Sequence, residues 1–263
     1  MRDIVERYFV VGDTFAGTAK NLPGILTETE ALDKVHSAQV LPADIYLYSQ
    51  QGVDLRSLSA AVLHFNTTNP GRTGQFHLVS AACAPRATRR LAHKNRAENI
   101  VISAPRRIGE QSFEMDLCFS SQNEFFLDHM TGMHIQGMAL MEAARQAFLA
   151  VTEAFYLDGD SRAYYFVIKR MDVSYTSFVF PFDATLRYDI TRVSQKDNRH
   201  GFDADISIIQ ADEVCTTVQV SFTAFEASTI AERERGIADA CYQKLLAHYA
   251  KPLGAADVIS AVA

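Results

Sequence analysis

At 263 residues the chain has room for one large domain or two small ones. A hydrophobic fraction of 48%, a charged fraction of 21% and a formal net charge of -6 describe an ordinary globular protein and argue against wholesale nucleic-acid binding. No apolar run approaches the roughly 20 residues of a membrane span, the start MRDIVERYFVVGD lacks the form of a secretory signal, and Cys83, Cys118, Cys215 and Cys241 are too widely spaced for a zinc cluster. A reduced, cytoplasmic protein with no metal or other cofactor is the expectation.

In chain order, residues 8–11 (YFVV) read as a short strand ended by Gly12 and Asp13, followed by a loop with Gly17, Pro23 and Gly24. Thr27 with Glu30 has the spacing of a capping box and opens a helix, TETEALDKVHSA. Residues 45–50 read as a strand, 53–65 as a helix with Asp54 as its cap, and 75–81 as a strand, which together suggest a small α/β unit. The glycine-rich run from Asn69 to Gly74 lacks the Walker spacing and its Lys-Ser/Thr pair, so it reads as a plain turn.

From Arg86 to Arg107 the local charge becomes basic, with Arg89, Arg90, Lys94, Arg96 and Arg106 offset by Glu98. Such a run is either a solvated connector or a docking surface for an acidic or phosphorylated partner. Residues 99–103 and 112–119 then read as strands, and further strands follow at 164–168, 173–179, 185–193, 202–210 and 214–225. A last helix over 229–249 places Ile237, Cys241, Leu245 and Tyr249 at helical spacing, to pack on the body or on a second subunit, and the tail from Lys251 is expected to fray.

Between these strands lies FFLDHMTGMHIQGMALMEAARQAFLAVTEAFY, residues 125–156. Its helix, 138–156, is apolar on nearly every side, so something must wrap it, and a curled antiparallel sheet is the economical solution. Glu142, Arg145 and Gln146 share one helical face. The preceding loop carries His129 and His134.

These residues carry a family resemblance. His129-Met130-Thr131-Gly132 with Gly137 and Glu142-Ala143 is similar to the HxxG and G(x)4EA elements of the β-hydroxyacyl-carrier-protein dehydratases. Asp128-His129, Gly132-Met133 and Glu142-Ala143-Ala144-Arg145-Gln146-Ala147, with His93-Lys94 and Asn99–Ser103 upstream, resemble the A-factor biosynthesis (AfsA) hotdog family over about residues 90 to 227. The resemblance implies an α+β hotdog fold, an antiparallel sheet wrapped around a long helix, preceded by a smaller α/β region. Its implied parts are residues 1–85, read as an α/β unit, a degenerate hotdog unit, a lid or a docking module; 86–228, the hotdog domain; and 229–263, the helix and tail.

The activity implied is acyl transfer from an acyl carrier protein or coenzyme A thioester in specialised-metabolite or signalling-lipid biosynthesis. A dehydratase or thioesterase of the same fold and a non-catalytic acyl-binding protein are the competing readings. His129 and Glu142 are the catalytic candidates, since an imidazole and a carboxylate can move protons beside a thioester. The plain alternatives are a loop histidine bonded to backbone and a Glu142–Arg145 ion pair. Gly132, Gly137, Met138, Arg145, Gln146 and His134 are candidates for substrate binding, with the carbonyl polarised at the helix N-terminus. Arg89, Arg90, Lys94, Arg106 and Arg107 are candidates for carrier docking. A homodimer is expected because a lone sheet exposes an edge.

Overall fold

The computed structural model describes residues 5–69, 74–80, 84–127, 132–157, 164–196 and 199–249; residues 70–73 of the glycine-rich turn, His129 and the tail from Lys251 lie outside them. The chain opens with β1 (Glu6–Val11), a 3-10 turn (Asp13–Phe15), α1 (Ala16–Asn21), β2 (Ile25–Thr27) and α2 (Glu28–Ser37). A short helix and strand thus stand where a loop was expected. The capping box forms: Glu30 N–H donates to Thr27 Oγ1 at 3.2 Å, and Thr27 N–H donates to Glu30 Oε2 at 2.8 Å. β3 (Ile45–Ser49), α3 (Leu55–Thr68) and β4 (Phe76–Ser80) complete this region, and Asp54 caps α3 by accepting from Arg56 N–H at 3.0 Å.

The four strands form one sheet in the order β2-β1-β3-β4, with every pairing parallel. Parallel strands joined by helices give these residues the α/β character expected of them. Helices connect the parallel strands because a crossover needs their length. Val10, Ile45, Leu47 and Phe76 on one sheet face pack with Ala31 and Val35 of α2 and Leu58, Val62 and Phe65 of α3.

The second sheet is antiparallel throughout: β5 (Arg106–Arg107), β6 (Ser112–Asp116), β7 (Tyr164–Tyr175), β8 (Thr185–Lys196), β9 (Arg199–Gln210) and β10 (Glu213–Glu226) lie in the order β5-β6-β8-β9-β10-β7. Between β6 and β7 run a short turn of helix, α4 (Glu124–Leu127), and the long α5 (Gly137–Phe155). Alanines 139, 143, 147 and 150 of α5 are fully buried, which lets the sheet approach the helix axis, while Phe148 stacks on Phe222 with ring centroids 4.4 Å apart. The expected wrapping of an all-round apolar helix is what forms.

Two strand expectations change. Residues 99–103 do not form a ladder strand; a 3-10 turn (Ala97–Asn99) leads into single bridges from Ile102 to Leu117 and from Ser103 to Arg86. The cause is Gln146, whose side chain takes up Val101 N–H and Asn99 C=O. Residues 164–168 and 173–179, expected as two strands, are one strand, β7, ending at Tyr175. The charged run Lys169-Arg170 between them is absorbed by a register shift opposite Ser221 and Phe222, a bulge within the continuous strand.

The two sheets meet at close-set backbone. Gln51 donates to Leu117 C=O at 2.9 Å and accepts from Phe119 N–H at 2.7 Å. A Cβ on Gly12 would lie 2.5 Å from the carbonyl oxygen of Gly52, so this contact needs a glycine. At the far end, α6 (Ala227–Tyr249) follows β10; Ile230 is buried, but Ile237, Cys241, Leu245 and Tyr249 are exposed. Of the two surfaces expected to receive that stripe, the chain's own body does not. Among the described residues no helix is long and apolar enough to cross a membrane.

Candidate active site

The amino end of α5 borders a cavity of about 450 Å³ lined by His134, Ile135, Gly137, Leu140, Tyr175 and Phe178, among others. The His134 ring lies 4.6 Å from that of Phe178. Tyr175 donates its hydroxyl to Gly137 C=O at 2.9 Å, and a Cβ on Gly137 would come within 2.8 Å of the tyrosine ring. A side chain at the first helical position would therefore have to push the Tyr175 ring aside. A phenol is protonated at neutral pH, and partial desolvation pushes that of Tyr175 above its ordinary range. Gln136, at the N-cap, gives the helix no side-chain cap and donates instead to Phe125 C=O. Ala139 N–H and Leu140 N–H donate to Gln136 C=O at 3.0 and 3.2 Å, which leaves the Gly137 and Met138 N–H groups, at the positive end of the helix dipole, to meet a ligand oxygen.

Glu142 sits five residues on, which in an α-helix is about 140° around the axis and about 7.5 Å along it. It does not line the cavity. Its Oε1 accepts from Lys94 Nζ at 2.8 Å, Gln146 Nε2 at 3.0 Å and Arg145 Nη1 at 3.2 Å. The expected Glu142–Arg145 ion pair is present, with Lys94 as a second cation. Gln146 is fully buried; its Oε1 accepts from Val101 N–H at 3.0 Å while Nε2 also donates to Asn99 C=O at 2.8 Å. Two turns further along, the buried Glu153 pairs with His93. Residues 84–103 therefore strap the face of α5 that carries Glu142, Gln146 and Glu153.

The sequence candidates separate accordingly. Gly137 and His134 meet at the cavity, while Glu142, Arg145 and Gln146 meet under the strap, and His129 lies outside the described residues. Met138 is exposed beside the cavity. Gly132 seats α1: its carbonyl accepts from Thr18 N–H at 3.2 Å, and a Cβ there would meet Thr14 C=O at 2.9 Å. Among the docking candidates, Lys94 turns inward to Glu142, and Arg106 is pinned by Glu114 at 2.9 Å and Asp116 at 3.0 Å, which hold its guanidinium even further above its usual range. Arg107 covers Phe113 at 4.8 Å and donates to Glu110 C=O. Arg89 and Arg90 stand exposed on the turn before Lys94. Sequence reasoning missed Tyr175, Phe178 and the His93–Glu153 pair. For Glu153 a signal existed, a second carboxylate in the apolar helix eleven residues after Glu142 and hence on its face; for Tyr175, one aromatic among many in strands, there was none.

An antiparallel sheet curled around one long buried helix, with its open site at the helix N-terminus, defines a hotdog protein. A family model described as the A-factor biosynthesis hotdog domain matches residues 80–226, and the chain belongs to that family. No curated protein matches the chain. Similar solved structures include a thioesterase variant from Pseudomonas aeruginosa (15% identity, 50% of this chain and 87% of that one, TM-score 0.37). A conserved protein from the same organism shows 14% identity over 46% of this chain and 86% of that one, with a TM-score of 0.34. A thioesterase variant from Staphylococcus aureus shows 10% identity over 46% of this chain and 91% of that one, with a TM-score of 0.33. Likenesses at that level carry no weight about function.

Proposed function

We propose that the protein is an enzyme that transfers an acyl group from an acyl carrier protein or coenzyme A thioester to a small hydroxyl-bearing acceptor, in specialised-metabolite or signalling-lipid biosynthesis. The observation that carries this reading is the cavity of about 450 Å³ at the uncapped N-terminus of α5. The thioester carbonyl accepts from the Gly137 and Met138 N–H groups, and charge developing on its oxygen in the transition state is stabilised there. Leu140, Phe178 and Ile135 receive the start of the acyl chain. His129 and Glu142 are retained as the proposed proton-handling pair on the family motif, although Glu142, fixed by Lys94 and Arg145, stands outside the cavity, and His134 is the imidazole that the cavity itself presents.

In this reading residues 86–228 form the catalytic hotdog domain, 1–85 an accessory α/β unit and 229–263 an appended helix and tail. Arg89 and Arg90 receive the acidic carrier, and the protein works as a homodimer in the cytoplasm. The long edge strand β7, with Tyr165, Ile168 and Tyr175 exposed, supports association through the sheet edge.

The test presents purified protein with β-ketoacyl and β-hydroxyacyl carrier-protein thioesters, with and without dihydroxyacetone phosphate, and follows the acyl group by mass spectrometry. Ketoacyl transfer to the acceptor, lost in His129→Ala and Glu142→Gln, is the expected result. Loss of water from the hydroxyacyl thioester would make the protein a dehydratase instead. Thioesters that survive unchanged would leave an acyl-binding protein.

A further inference from the structure

Among the described residues two surfaces lack a partner, and each has the form the other needs. The first is the second face of the parallel sheet. α2 and α3 cover one side of it, whereas the other carries Arg7 and Phe9 of β1, Tyr46 and Tyr48 of β3, and His77 and Val79 of β4. Their rings form a continuous platform: Phe9 on Tyr48 at 5.4 Å, Tyr48 beside Tyr46 at 6.5 Å, and Tyr46 on His77 at 4.6 Å. Parallel sheets almost always carry helices on both faces. Here the rest of the chain closes the carboxyl end, where Val11 joins the main core and Phe182 meets Phe9 at 6.3 Å, and Phe9 is still 45% exposed.

The second surface is α6. Beyond Glu234, which still reaches Tyr165 of β7, it leaves the body, and a Cβ on Gly236 would meet nothing within 4 Å. Ile237, Cys241, Tyr242, Leu245, Leu246 and Tyr249 fall on one half of its circumference at 100° per residue, and all are exposed. From Ile237 to Tyr249 the stripe is about 18 Å long, and the five-residue strands β3 and β4 are about 17 Å long. The sheet is a face without its helix layer, and α6 is a helix of matching length without its sheet. A second copy of the chain supplies both at once, and a two-fold pairing satisfies all four surfaces and closes.

We propose that α6 of one copy lies on the aromatic face of the parallel sheet of a second copy, and reciprocally. This contact is separate from the thioester site and from association through the β7 edge.

The test is sedimentation of the full chain over a range of concentrations, with circular dichroism confirming that each variant folds. Phe9→Glu damages the face and Leu245→Glu damages the helix; both sites are exposed, so folding is spared. Each is expected to weaken the dimer by roughly tenfold or more. Mixing the two variants is expected to restore part of the association, because one intact helix then meets one intact face. In Arg7→Cys, a short bismaleimide is expected to join the new thiol to Cys241 of the other copy, and Cys241→Ser is expected to abolish the product. A monomer at every concentration, a dimer indifferent to both substitutions, or a mixture with no recovery would each overturn the proposal; an indifferent dimer would point to the β7 edge.

Discussion

The amino end of α5 and its middle come from one apolar run of sequence and finish in opposite states. At the amino end the helix begins on Gly137 without a side-chain cap and opens on a cavity. In the middle, Glu142 and Gln146 take partners from the strap at 84–103, and so does Glu153 a little further on. The difference teaches how to read polar residues in a buried helix. A buried polar group needs its hydrogen bonds, and where the fold supplies them the group holds structure. Where the fold leaves donors facing a cavity, a ligand can complete them.

If the middle is the structural half, its removal should cost stability first. Gln146→Leu leaves Val101 N–H buried and Asn99 C=O half-buried without partners and takes one donor from Glu142. A cost of about 4 kcal/mol is expected, from roughly 1–3 kcal/mol for each orphaned group. By thermal denaturation that is a fall of roughly 10 °C in Tm for a chain of this size. A fall within error would mean that the strap does not hold the helix.

At the amino end the expectation reverses. Gly137→Ala drives a methyl against the Tyr175 ring at 2.8 Å and displaces the tyrosine or the first turn. Turnover of the acyl thioester is expected to fall about a hundredfold, the size of losing one oxyanion donor, with a smaller change in Tm than Gln146→Leu gives. Unchanged turnover would remove the helix N-terminus from the mechanism. Tyr175→Phe is the gentler probe of the same end. It deletes only the bond to Gly137 C=O, so about 1 kcal/mol of stability and up to tenfold in turnover are expected to go.

Much of the fold was legible in the sequence because its signals were local. Thr27 and Glu30 carry their capping box within four residues, Asp54 caps the helix it precedes, and β8 to β10 alternate strongly enough to show. The errors arose where a distant side chain decided the outcome. Residues 99–103 have strand composition, yet Gln146, more than forty residues away, occupies their backbone groups. The candidate site was half legible for the same reason. The EAARQ run drew attention to Glu142 and Gln146, but their cation partner Lys94 and the separation of both from the cavity depend on how the strap folds back. Parallel pairing in the first sheet was likewise invisible, since strand composition there does not encode direction.

The smallest effect tests the sheet that wraps the helix. Tyr188 on β8 is fully buried close to Thr152 of α5, and neither hydroxyl makes a well-formed hydrogen bond. Burial pushes the phenol far above its ordinary range. In the unfolded chain it titrates near pH 10; the folded chain holds the proton more tightly, so stability should fall as the pH rises through about 10 and be unaffected below it. Tyr188→Phe removes a hydroxyl that gains little, so stability at neutral pH is expected to change by less than about 1 kcal/mol. The alkaline decline should flatten in the variant when urea midpoints are compared at neutral pH and above pH 10. An equal decline in both proteins would show that another group carries the alkaline sensitivity. A large loss at neutral pH would show that the hydroxyl is well bonded after all, through Thr152, and that the core between β8 and α5 depends on it.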